Sequence, residues 1–126
     1  MNAFGGADVS LPSLTAYTAS NDNTNRTFYA GNTGSVLDMS NLTTLNLPGA
    51  GTMLVEAGEG GTVDLSGLTA INFTGNRVLD FAAYEAGSTL DLTALGAAGI
   101  NGISMGMENG AIVNWGTPTT FTNSQL

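Results

Sequence analysis

The stretch GGTVDLSGLTAINF, Gly60 to Phe73, occurs twice more in altered form: GSVLDMSNLTTLNL from Gly34 to Leu47, and GSTLDLTALGAAGI from Gly87 to Ile100. Inside it, apolar and polar residues alternate as Val63-Asp64-Leu65, which is the period of a strand rather than of a helix. The phrase leucines Leu14, Leu42, Leu68 and Leu95 are 28, 26 and 27 residues apart. A near-constant period of this length is the mark of a repeat architecture, so it governs the rest of the reading.

Aligned on that leucine, further columns appear. Val9, Leu37, Val63, Leu90 and Val113 form one. Leu11, Met39, Leu65, Leu92 and Trp115 form another. Tyr17, Leu45 and Ile71, extended by Phe121, form a third. Between the first two runs a polar column: Ser10, Asp38, Asp64, Asp91 and Asn114. Upstream of each phrase a second apolar segment recurs, beginning at Thr27, Met53, Leu79 and Ile103 and ending in a glycine corner at Gly34, Gly60-Gly61, Gly87 or Gly110. In that segment Phe28, Leu54 and Phe81 are aligned as a core column. Each unit thus reads as three short strands separated by Gly, Asn or Pro corners, repeated about four and a half times.

Units of about 26 residues with three short strands predict an all-β fold, a right-handed single-stranded parallel β-helix of four to five coils. Residues 1–126 form one domain, with coils at roughly 7–33, 34–59, 60–86, 87–109 and 110–126. Coils would stack about 4.8 Å apart, giving a rod about 20 Å long. Each coil buries little alone and depends on its neighbours. Right-handedness rests on the crossover rule and on the resemblance given below. A leucine-rich repeat competes, because LTTLNLPGAG and LTAINFTGNR fit its L-x-x-L-x-L pattern. Its convex side needs helical segments, however, and TMLVEAGEGGTV and RVLDFAAYEAGSTL are rich in Gly and strand formers. A β-sandwich of short strands is the third possibility.

Composition agrees with an all-β, turn-rich chain. Hydrophobic residues make up 42% and charged residues only 10%, which excludes a disordered polyelectrolyte and a surface-charged helical domain. Two Arg stand against ten carboxylates, with no Lys or His, for a net charge of -8. Nucleic acid is therefore not an expected partner, since phosphate binding needs clustered cations. No apolar run is long enough to span a membrane as a helix, so membrane insertion is not expected. The opening MNAFGGADVS lacks the basic and apolar regions of a signal peptide. There is no Cys, hence no disulfide or thiolate chemistry.

The phrase LDLSxLT with preceding Gly-Ser-Thr resembles repeats of bacterial surface and secreted proteins of the adhesin or filamentous-haemagglutinin-like kind, over about residues 7 to 121. That resemblance implies a right-handed parallel β-helix in an extracellular, elongated, structural or adhesive protein. It carries no catalytic residues onto this chain. The partners it suggests are the chain itself by end-to-end stacking, neighbouring repeats of a longer chain, or a glycan or surface ligand.

Several columns raise chemical questions. With Leu37 and Met39 inward, Asp38 points outward, and Asp64 and Asp91 follow. Three carboxylates about 5 Å apart repel by roughly 1 kcal/mol per pair in a water-like medium. A hard cation such as Ca²⁺ would relieve this, with Ser40, Ser66 and Thr93 beside it. Equally, each Asp can cap its own corner through backbone N–H groups. No D-x-D-x-D-G loop is present. Catalysis is not expected: His, Lys and Cys are missing, the two Arg fall in different coils, and short coils offer no cleft. Paired carboxylates from the ladder would be the only hydrolase candidates. Thr15, Thr43 and Thr69 form a column of the kind that binds ice, broken at Gly96, though Thr is also a good strand former. Tyr17, Tyr29, Tyr84 and Trp115 are candidates for a sugar-stacking platform, with Trp115 better suited to the interior. N-x-[ST] sequons stand at Asn25, Asn41 and Asn72. Neither end carries an amphipathic helix to cover open strand edges.

Overall fold

In a computed structural model, residues 1–95, 100–116 and 121–122 are described. The chain winds as a parallel β-solenoid of about 4 turns, with rungs ~26 residues apart. Rung 1 consists of β1 (Asn2–Phe4), β2 (Asp8–Ser10) and β3 (Ala16–Thr18). Rung 2 follows with β4 (Arg26–Gly31), β5 (Val36–Asp38) and β6 (Thr44–Leu47). Rung 3 has β7 (Thr52–Gly58), β8 (Thr62–Asp64) and β9 (Ala70–Phe73). Rung 4 has β10 (Val78–Tyr84), β11 (Thr89–Leu92) and β12 (Ile100–Asn101). Rung 5 has β13 (Ile103–Glu108), β14 (Ile112–Trp115) and β15 (Phe121–Thr122).

Equivalent strands pair in parallel. One wall is β1-β4-β7-β10-β13, the second β2-β5-β8-β11-β14, the third β3-β6-β9. The pair β12-β15 makes a separate two-stranded sheet. There is no α-helix among the described residues. TMLVEAGEGGTV and RVLDFAAYEAGSTL are strand, corner, strand (β7 to β8 and β10 to β11), which removes the leucine-rich repeat.

The repeat columns are the ladders. Val9 pairs with Leu37, Leu37 with Val63, Val63 with Leu90 and Leu90 with Val113. Leu92 pairs with Trp115. In the third wall Tyr17, Leu45 and Ile71 stand in register. Phe121 departs from the expected column: it pairs with Ile100, outside that sheet. A second correction concerns Leu54. The register sets Phe28 against Val55 and Val55 against Phe81, and Val55 is fully buried while Leu54 faces outward between Thr27 and Asp80. Met53-Leu54-Val55 is three apolar residues in a row, so alternation cannot choose a face; a one-residue slip exchanges inside for outside.

Inward side chains stack into one core of Phe, Leu, Val, Met and Ala. Phe28, Phe81, Leu37, Leu42, Leu68 and Leu90 are among its fully buried members, each contributing roughly 1.5–3 kcal/mol by burial. The phrase L-x-x-L is a corner: Leu14, Leu42 and Leu68 donate backbone bonds to Leu11, Met39 and Leu65, and both ends of each turn point into the core. Burial fades toward the rod's ends, where Val9, Leu11 and Tyr17 below and Met105, Val113 and Trp115 above are only partly covered.

Candidate functional site

The outer face of the second wall carries the aspartates as expected. Ser10, Asp38, Asp64, Asp91 and Asn114 are in direct register, one per rung. Each carboxylate is already engaged with its own corner. Asp38 Oδ1 accepts the Ser40 N–H at 3.0 Å, Asp64 Oδ1 the Ser66 N–H at 2.9 Å, and Asp91 Oδ1 the Thr93 N–H at 3.0 Å. These are local turn caps, bonding two residues on. Asp38 Oδ2 also accepts the Ser10 hydroxyl at 2.9 Å. The Ser40 N–H, then the Ser40 and Ser10 hydroxyls, hold the Asp38 carboxyl below the usual carboxylate range. Among the described residues no three His, Cys, Asp or Glu side chains are grouped to hold a metal ion. The ladder is thus a column of individually capped carboxylates that do not converge.

Thr15, Thr43 and Thr69 are exposed, and two of the three hydroxyls are bonded to the backbone of the rung below. Thr43 Oγ1 donates to the Thr15 carbonyl at 3.0 Å and Thr69 Oγ1 to the Thr43 carbonyl at 3.2 Å. Its expected break at Gly96 lies outside the described residues. The sequon asparagines are engaged as well: Asn25 Oδ1 accepts the Thr52 N–H, and Asn41 and Asn72 donate to Pro12 O and Asn46 Oδ1.

The four candidate aromatics separate. Tyr17 packs edge-on against Phe28, ring centroids 5.0 Å apart, and serves the lower end of the core. Trp115 is half-buried at the upper end, where it lines a cavity of about 300 Å³ with Met105, Met107 and Val113. Tyr29 and Tyr84 meet on the outer face of the first wall, their hydroxyls 3.1 Å apart. Phe4, which the sequence reading did not single out, joins them at 5.1 Å from the Tyr29 ring and is 52% exposed. The register explains the row. Phe4, Gly31, Gly58 and Tyr84 form one column. The Tyr29 ring lies over Gly31 and the Tyr84 ring over Gly58, so closely that a Cβ at either glycine would strike the ring. Glycine between aromatic rungs was the available signal. The Tyr29 hydroxyl, burial and Glu56 push the Tyr84 hydroxyl's pKa well above its ordinary value.

Both cations occupy one corner of the rod, which their separate positions in the chain did not suggest. Arg77, 3% exposed, donates to four carbonyls: Nε to Pro48 at 3.1 Å, Nη1 to Thr24 at 2.8 Å, and Nη2 to Ser20 and Asp22, each at 3.1 Å. Asp22 Oδ1 lies 3.5 Å from Arg77 Nη2, and Asp22 Oδ2 lies 2.8 Å from Arg26 Nη2. The guanidinium fork ties three rungs together. Neither arginine is left to hold an anionic substrate.

No protein-family model, no curated protein and no solved structure matches this chain.

Proposed function

We propose that the chain is a structural segment of an extracellular bacterial fibre, stalk or adhesin, with its ladders continued beyond the ends by further β-solenoid coils. The observation that carries this is the pairing at the ends. Among the described residues, β1, β2 and β3 at one end and β13 and β14 at the other are paired on one side only. Such edges invite further strands. The LDLSxLT resemblance supports an extracellular surface role. So does the chemistry: ladder carboxylates spent on corners, arginines spent on carbonyls and no His, Lys or Cys suit a load-carrying rod better than an enzyme.

Antibody against the chain should label intact cells of the organism that makes it and decorate filaments in electron micrographs. Labelling seen only after permeabilisation would refute the proposal. Mass across a concentration series then separates the sources of the next coil: growth with concentration means a second copy, constant mass means neighbouring repeats.

The row of Phe4, Tyr29 and Tyr84 favours a second reading, an adhesive face for an uncharged glycan. Rings offer stacking surface, the tyrosine hydroxyls and Glu56 offer hydrogen bonds, and the net charge of -8 opposes acidic sugars. Glycan-array binding lost in Phe4→Ala and Tyr29→Ala would support it. Asp38, Asp64 and Asp91 are read as corner caps, so the melting temperature should not move with Ca²⁺ or chelator. A rise with Ca²⁺ reversed by chelator would make them ligands.

A further inference from the structure

The corners between the first and second walls are of two kinds, and they alternate. In rungs 1, 3 and 5 the turn bond runs from Ala7 to Phe4, from Gly61 to Gly58 and from Ala111 to Glu108. Its two central residues both have positive φ: Gly5 and Gly6 (63° and 81°), Glu59 and Gly60 (54° and 84°), Asn109 and Gly110 (54° and 81°). That is the type I′ signature. In rungs 2 and 4 the bond runs from Ser35 to Asn32 and from Ser88 to Glu85, and only the second central residue, Gly34 or Gly87, has positive φ. That is the type II signature, one residue longer because Asn32 and Glu85 are left-handed in addition.

The two kinds are chemically complementary. The type I′ corner turns a glycine N–H toward the next rung, and the type II corner supplies a buried serine hydroxyl to accept it. Gly6 N donates to Ser35 Oγ at 2.9 Å, and Gly60 N to Ser88 Oγ at 2.9 Å. Both serines are fully buried. The type I′ rungs carry Ala7, Gly61 and Ala111 at the serine position. Rung 5 repeats the donor corner with Gly110, and among the described residues its N–H has no acceptor.

We infer that the coil which docks on the upper end of the rod is of the type II kind and places a buried Ser or Thr hydroxyl over the Gly110 N–H. This rests on the reading of the chain as a solenoid segment and names the partner of its open end. It also sets the order of coils: the structural period is two rungs, donor then acceptor. Rung 1 of a second copy is itself a donor rung with Ala7, so it is not the matching coil, and the ladders are continued by neighbouring repeats of acceptor type.

The test inserts one coil after Trp115 in the full chain and follows amide exchange at Gly110. A copy of residues 66–92 supplies a type II corner with its serine, carrying Arg77→Ser in the copy so that no guanidinium is buried away from the Ser20, Asp22 and Thr24 carbonyls that hold it in the chain. A copy of residues 40–65 supplies a type I′ corner instead. The first insertion should slow Gly110 exchange about fivefold or more relative to the second, the scale of one hydrogen bond. Ser88→Ala within the inserted copy should abolish the difference while β13 stays protected. Equal Gly110 protection in both insertions overturns the inference but leaves the segment reading standing. If neither insertion protects β13, both fall. In the unextended chain, Ser88→Ala should speed exchange at Gly60 and leave Gly6 unchanged; an unmoved Gly60 overturns the pairing rule.

Discussion

Arg77→Met is the most informative single change. The methionine keeps an apolar stem of similar length and removes a guanidinium that reaches Pro48, Thr24, Ser20 and Asp22. Each bond from a charged donor is worth roughly 1.5–3 kcal/mol net, so four would sum to about 6 kcal/mol or more. That sum overstates the loss. Ser20 and Thr24 are exposed, and water can replace the arginine at loop carbonyls. Pro48 is half-buried and less easily rewetted. We expect a loss of about 3 kcal/mol, within the range for removing one partner of a buried charged network. Against a total of roughly 5–15 kcal/mol that is a large fraction. Urea unfolding should show the midpoint fall with the slope unchanged. Exchange should speed at the amides of Ala50 and Asn76, which bond Asp22 O and Gly49 O beneath the same corner. Arg77→Lys should recover less than half, because an ammonium cannot fork across three rungs. A loss under about 1 kcal/mol in Arg77→Met would refute the claim that this side chain pins the rungs.

The remaining predictions concern the corners and the outer face. Asp38 and Asp22 have lowered pKa values, Asp38 through Ser40 and Ser10, Asp22 chiefly through the Thr24 N–H. Their stabilisation is complete above the unfolded carboxylate pKa of about 3.9 and is lost as pH falls through the lower folded values. Asp38→Asn should therefore flatten the acid limb of a stability-against-pH curve, and an unchanged limb would contradict the capping. Gly67→Ala should cost roughly 1–3 kcal/mol in urea unfolding, because its Cβ would strike the Ser40 carbonyl oxygen. Gly106→Ala should be neutral or stabilising by up to about 1 kcal/mol, since nothing lies within 4 Å and its φ is not positive. Tyr29→Phe should bring the Tyr84 hydroxyl back toward its ordinary titration, read by tyrosinate absorbance; an unmoved titration would mean that Tyr29 does not set it.

The aspartate ladder and the leucine corners were legible because each sits in a short alternating stretch that repeats with almost no change. The same repetition placed Asp38, Asp64 and Asp91 on one outer column. It left open whether their carboxylates face a cation or their own turns, since that depends on where the next two backbone N–H groups point. Leu54 was misassigned because an unbroken apolar triplet has no period. Phe4 was overlooked because the ring it packs against, Tyr29, lies 25 residues away in the chain.

What the amino-acid order determined by itself was the architecture: a rung of three short strands, the inward columns and the positions of the corners. Periodicity is a local property, and identical rungs have one economical way to cover their apolar faces, which is to stack on one another. Only the tertiary structure decided which distant groups meet. It brought Arg26 and Arg77 to one aspartate, laid the Tyr84 ring over Gly58 of the rung below and sorted near-identical corners into donors and acceptors. Those contacts depend on backbone angles and on ladder register, which the residue pattern leaves free until neighbouring rungs are in place.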